Sequence, residues 1–155
     1  MKENFMLRAI ALSSEKMKSN NGGPFGAVIV KDNEIIAEGW NQVTSSNDPT
    51  SHAEIVAIRS ACAKLNNFSL NGCEIYTSCE PCPMCLSAIY WARIEKIYFA
   101  NTKEDAKNVG FDDSHIYTQV SLPVNMRSIP SLQLLRNEAN KVFNEWEMKN
   151  DKVKY

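Results

Sequence analysis

The chain has little histidine, only two residues in 155, and no run that approaches the roughly eighteen apolar residues of a membrane span. Its first residues carry no long apolar stretch of the kind that directs secretion. An excess of charge of either sign is also missing. Lysine and arginine total 17 against 18 acidic residues, a formal net charge of -1, so no global field draws in a polyanion and nucleic acid is disfavoured as a partner. There is no internal repeat and no low-complexity segment. The five cysteines are an odd number and two of them have metal-ligand spacing, which argues against a disulfide framework. What remains is a 155-residue chain with 44% hydrophobic content, enough for one compact domain spanning 1–155 with a full core. The expected setting is the cytoplasm, with no membrane association.

Against that background two short segments stand out: His52-Ala53-Glu54, and Pro81-Cys82-Pro83-Met84-Cys85 about thirty residues later. Cysteines at i and i+3 in the first turn of a helix share a face and can share a tetrahedral ion. Prolines are tolerated there because the first amides have no intrahelical partner, and the positive end of the helix dipole favours thiolates. His52 and Glu54 would diverge by roughly 200° in mid-helix, but at a helix start both can reach a metal beyond the end of the axis. One imidazole and two sulfurs leave a fourth position for water, the composition of a reactive zinc. The expectation is therefore Zn2+ on His52, Cys82 and Cys85, one per subunit with water or hydroxide as fourth ligand, and Glu54 as proton carrier.

Other readings compete. Ser51-x-x-Glu54 is a capping-box pattern, so Glu54 could simply tie down a helix end. Cys79, Cys82 and Cys85 form C-x-x-C-x-x-C, the start of an iron–sulfur ligand run, although position 89 is Ile where a fourth cysteine would be needed. A structural Cys3His zinc module for partner binding would recruit Cys79 and close the metal to water. Cys62, on an apolar helical face, and Cys73, before a strand, read as packing residues. His115, in a polar loop, is not expected to touch substrate.

Apolar spacing predicts a helix over 5–19, an antiparallel hairpin from strands 27–30 and 35–39, and a loop at 44–48. Further helices are expected over 51–65 and from the cysteine pair to about Trp91, with strands at 74–78 and 96–100. Thr102 is placed to cap a short helix ending at Gly110. Strands alternating with helices predict a central sheet covered on both faces, with the metal between two helix starts.

The zinc signature is identified as that of the cytidine deaminase superfamily, the general pattern for zinc deaminases. Within it Gly23 to Val30, Thr44 to Ala53, Tyr76 to Cys85 and Phe111-Asp112-Asp113-Ser114 resemble the bacterial guanine deaminases, over nearly the whole chain. The resemblance implies an α/β, three-layer α/β/α cytidine deaminase-like fold with a mixed five-stranded sheet, strand 131–135 and helix 138–150 included. It implies a purine substrate, guanine first, deaminated hydrolytically to xanthine and ammonia. Adenosine in tRNA, cytosine or another nucleoside is the alternative. Carried over position by position, Asn41 and the Ala53 amide would bond the base, Phe25 and Trp91 would line it, and Asp113 would read its N–H donors. The resemblance also implies a homodimer in which residues 137–155 are exchanged and Tyr155 reaches the neighbouring pocket.

Overall fold

A computed structural model describes residues 1–155. Four strands form one mixed sheet in the order β2-β1-β3-β4. β1 (Gly26–Lys31) and β2 (Glu34–Trp40) make the expected hairpin, in which Lys31 pairs with Glu34 across Asp32 and Asn33. Both turn residues have positive φ, 50° and 63°, the twist a two-residue hairpin needs and one that Asp and Asn tolerate. β3 (Cys73–Cys79) runs antiparallel to β1 and parallel to β4 (Lys96–Asn101).

Alternation along β1 assigns the two faces. Val28 and Val30 pack with Tyr76 against Ala9 and Leu12 of α1 (Lys2–Lys18). Ala27 and Ile29 point the other way, into a core shared with Ala53, Ala57 and Ala61 of α3 (Ala53–Leu65) and Ile89 of α4 (Pro83–Trp91). Helices thus cover both faces, as alternation of strands and helices predicts. Small residues on α3 let it lie close to the sheet, closest at Gly39. A Cβ there would sit 2.2 Å from the Ala53 carbonyl oxygen and 2.5 Å from the Ala57 nitrogen, both backbone atoms that cannot swing away. Gly39→Ala must therefore push back the helix start that carries His52 and Glu54. The expected cost is about 2–3 kcal/mol in urea unfolding, at the upper end for overpacking, together with weakened zinc retention. An unfolding midpoint equal to wild type would contradict this close approach.

Two compact units divide the chain, 1–114 and 115–155. The first holds the sheet, the short α2 (Val43–Ser46) in the expected loop, and α5 (Lys103–Asn108). α6 (Ser114–Ser121) begins at the boundary, and the second unit holds a 3-10 turn at Val124–Met126 and α7 (Arg136–Met148). Gln119 accepts a hydrogen bond from the Ser128 amide at 2.7 Å, and Arg127 donates to the Leu122 carbonyl at 3.1 Å. The expected fifth strand at 131–135 is absent, so the sheet has four strands. Leu132-Gln133-Leu134 alternates like a strand, but no segment of the chain pairs with it, Pro130 offers no amide, and Leu135 turns into the left-handed region at φ 52° to start α7. A strand requires a partner ladder, which alternation cannot supply.

Candidate metal centre and base-binding cleft

The two signature segments meet because each ends an extended approach and begins a helix. His52 is the N-cap of α3, with φ −71° and ψ 158°, and Cys82 is the N-cap of α4, with φ −64° and ψ 167°. Pro83 follows at the first position of α4, where a missing amide hydrogen costs nothing. Side chains at these two helix N-termini converge on one cluster, and the positive end of a helix is a favourable setting for a thiolate. Glu54 occupies the second helical position, so histidine and glutamate straddle the axis end as the sequence requires.

His52 Nδ1 lies 3.5 Å from Cys82 Sγ, and the ligand atoms of His52, Cys82 and Cys85 all fall within 4.8 Å of one another. Tetrahedral zinc, with bonds of about 2.3 Å to sulfur and about 2.0 Å to nitrogen, spaces neighbouring ligand atoms roughly 3.5–3.8 Å apart. The donor set and its spacing fit that ion. Cys82 is drawn down to about 4, chiefly by the Cys85 thiol hydrogen-bonded to it and also by His52, while Cys85 is pushed up by the same contact and by burial. The pair therefore holds one thiolate readily, and a divalent cation would remove the second proton.

Glu54 is buried and outside the three-ligand cluster. Burial raises its carboxyl, with the Cys85 thiol in hydrogen-bond contact acting in the opposite sense. The capping-box reading fails, because Ser51 donates instead to Asp48 at 2.6 Å and α3 has no side-chain cap bond. Cys79 is also outside the cluster. Its Sγ donates to the Thr102 carbonyl at 3.5 Å and burial pushes its thiol up to about 11, so neither the C-x-x-C-x-x-C reading nor the Cys3His reading finds its ligand. Cys62 donates to the Phe68 carbonyl and Cys73 is in the core, as packing residues do.

A cleft of about 630 Å³ opens over the metal ligands, bordered by Phe25, Asn41, Ala53, Phe111 and Asp113 among others. Asn41 is buried, and its Oδ1 accepts from the amides of Gly23 at 3.1 Å and Val43 at 3.3 Å. That fixes the flip of the side chain: Nδ2 is left as a donor. The Ala53 amide, first in α3, has no intrahelical acceptor and is a second donor at the cleft wall. Asp112 and Asp113, told apart in sequence only by the resemblance, differ here. Asp112 accepts from the Ser114 amide at 3.0 Å and pairs with Lys107 at 3.7 Å, which hold its carboxyl below the usual range. Asp113 is half-buried, and burial raises its carboxyl.

Trp91 does not border this cleft. It lies at the end of α4, 67% exposed, beside Ser87, Tyr90 and Arg93. α4 brings its first turn to the His52, Cys82 and Cys85 cluster, and nine residues later its last turn is at the far end of the helix. Tyr155 belongs to the second unit and is 72% exposed. His115 is in that unit too, 3.5 Å from the Ser128 hydroxyl. Sequence reasoning passed over Asp48, which accepts from the Thr50 amide and hydroxyl and the Ser51 hydroxyl and so shapes the turn before His52. Its carboxyl is held well below the usual range, first by the Ser51 hydroxyl. The Asp-x-Thr-Ser pattern was the available signal.

Comparison with known proteins agrees with this geometry. Guanine deaminase of Bacillus subtilis strain 168 is 51% identical over 153 residues, 99% of this chain and 98% of that protein. An X-ray structure of guanine deaminase from Bacillus subtilis superposes with a TM-score of 0.96 at 51% identity, covering 99% and 98% of the two chains. A guanine deaminase structure from Nitrosomonas europaea gives 0.69 at 29% identity, covering 94% and 84%. The tRNA-specific adenosine deaminase of Aquifex aeolicus is 47% identical over 92 residues, 59% of this chain and 61% of that one. The family model of the cytidine and deoxycytidylate deaminase zinc-binding region matches residues 1–101, which contain all three ligand residues and Glu54, and the chain belongs to that family.

Proposed function

We propose that this protein is a zinc-dependent hydrolase that converts guanine to xanthine and ammonia. The observation that carries the substrate assignment is the likeness to the Bacillus subtilis guanine deaminase, 51% identical from end to end, where tRNA-specific adenosine deaminases are 47% identical over 59% of the chain or 35% identical over 88% of it. Cleft chemistry supports it. Guanine offers acceptors at O6 and the ring nitrogens, and donors at its ring N–H groups and 2-amino group. The Asn41 amide and the Ala53 amide are donors and the Asp113 carboxylate is an acceptor, so the cleft is complementary in kind to such an edge. Phe25 supplies an apolar surface for the ring plane.

Zinc on His52, Cys82 and Cys85 would supply a water acidified to a pKa near 7 as nucleophile. Glu54 accepts the proton that this water gives up, and returns protons first to a ring nitrogen and then to the departing amino group. One carboxylate serves twice, and water plus guanine balance xanthine plus ammonia. Burial keeps Glu54 away from bulk solvent that would compete for the proton.

The reading extends to assembly. Val142, Phe143 and Trp146 form an apolar side of α7 that is 59%, 72% and 44% exposed. They support a homodimer in which residues 137–155 pack on the neighbouring chain and Tyr155 completes its pocket. A single functional domain over 1–155 and residence in the cytoplasm belong to the same reading, and five cysteines outside any disulfide suit a reducing compartment. Ammonia release from guanine, adenine, cytosine, guanosine and tRNA tests the assignment. Guanine should exceed each of the others by at least about a hundredfold in kcat/KM, below the roughly ten-thousandfold or more that sites built to hydrogen-bond a substrate reach. Equal rates with adenine or tRNA would overturn the guanine assignment.

A further inference from the structure

We infer that Phe111 is a positioning residue for base recognition, clasped against Phe25 so that the next turn of chain presents Asp113 to the cleft. The inference rests on the base-binding reading of Asp113 given above. The clasp begins at the end of α5. The Gly110 amide donates to the Lys107 carbonyl at 3.0 Å and the Phe111 amide to the Ala106 carbonyl at 3.0 Å, the paired bonds of a Schellman motif. Gly110 has φ +96°, a conformation that side-chain-bearing residues rarely adopt, and it turns the chain out of the helix and toward the cleft. There the Phe111 ring meets the Phe25 ring edge-on, centroids 4.9 Å apart at an interplanar angle of 86°. Gly23 lies beneath both rings, its Cβ direction meeting them at 3.5–3.6 Å.

Beyond Phe111 the chain is pinned a second time. Asp112 caps the Ser114 amide and pairs with Lys107, a residue of α5 itself. Asp113 is thus held between two fixed points and lines the cleft together with Phe25, Ala106, Gly110 and Phe111. Phe111 is 45% exposed. A residue this open contributes little to the global core, so its edge-to-face contact is better explained by local placement than by stability. Phe25 is doubly used: one face toward the base, and its ring as the seat for Phe111.

Phe111→Ala should raise the KM for guanine about tenfold, the scale of a lost aromatic pair, with kcat changed less than about threefold, and with zinc content and melting temperature as in wild type. Phe111→Tyr and Phe111→Trp restore the ring and should restore KM. Asp113→Asn alone should raise KM further, and adding Phe111→Ala to it should have no additional effect, because the ring acts through that carboxylate. A KM unchanged in Phe111→Ala, or full additivity with Asp113→Asn, would overturn the inference while leaving the substrate assignment intact. Wild-type protein that releases no ammonia from guanine would overturn the substrate assignment and this inference with it.

Discussion

Glu54→Gln is expected to keep one zinc per chain and to lose about a thousandfold in kcat, within the range for removing a general acid–base. Three observations set this outcome. Glu54 stands outside the ligand cluster, so the metal loses no donor. Its place at the second position of α3 puts it at the mouth of the same helix whose N-cap is His52, where it lines the cleft. Its carboxyl accepts from its own backbone amide and from the Cys85 thiol, contacts that a glutamine side-chain oxygen can also make. Glutamine matches the carboxyl in size and hydrogen-bonding reach but cannot shuttle a proton, and the reaction asks for that transfer more than once.

A stability measurement separates this role from a structural one. Burial raises the Glu54 carboxyl, so in metal-free protein its ionised form is destabilising. An acid with a folded pKa above its unfolded value stabilises least above the folded value and gains as the pH falls. Zinc-stripped Glu54→Gln should therefore melt at or above zinc-stripped wild type at neutral pH, while activity is lost in the reconstituted protein. Inactivity with lower stability would make Glu54 a structural residue, and turnover within tenfold of wild type would remove it from the chemistry.

Much of this centre could be read from the sequence because ligand spacing and helix starts are local. His52-Ala53-Glu54 and Cys82-x-x-Cys85 each specify a helix N-terminus by themselves, and a shared metal is the one chemistry that uses all four side chains. The hairpin was equally local, since Asp32-Asn33 can adopt the two positive φ values its turn needs. Failures came where a property depends on distant chain. Leu132-Gln133-Leu134 has a strand's alternation but no ladder to join, and Leu132 and Leu134 are left 86% and 81% exposed. Trp91 is a different case: it ends α4, nine residues from the start of the cysteine pair, and lies outside the lining of this chain's own cleft. The resemblance singled out Asp113, but the physical difference between Asp112 and Asp113 rests on which carboxylate the Ser114 amide and Lys107 engage.

The second large effect is loss of the metal itself. Alanine at His52, Cys82 or Cys85 should abolish activity and reduce zinc affinity by well over the 10–100-fold that loss of a supporting partner costs. Metal binding favours only the folded chain, since the three donors converge from segments thirty residues apart. At free zinc about a thousandfold above its dissociation constant, that linkage is worth about 4 kcal/mol. Wild type should therefore lose stability on chelation, whereas the three alanine variants should melt alike with and without chelator. Cys79→Ser is the decisive companion. Its sulfur is engaged with the Thr102 carbonyl and its thiol is pushed up to about 11, so it has neither the position nor the ionisation of a ligand. It should retain zinc, turnover and the chelator-sensitive melting of wild type. Zinc loss in Cys79→Ser would mean a fourth sulfur on the metal, leaving no site for water and no proton for Glu54 to carry, and the hydrolytic reading would fail at its first step.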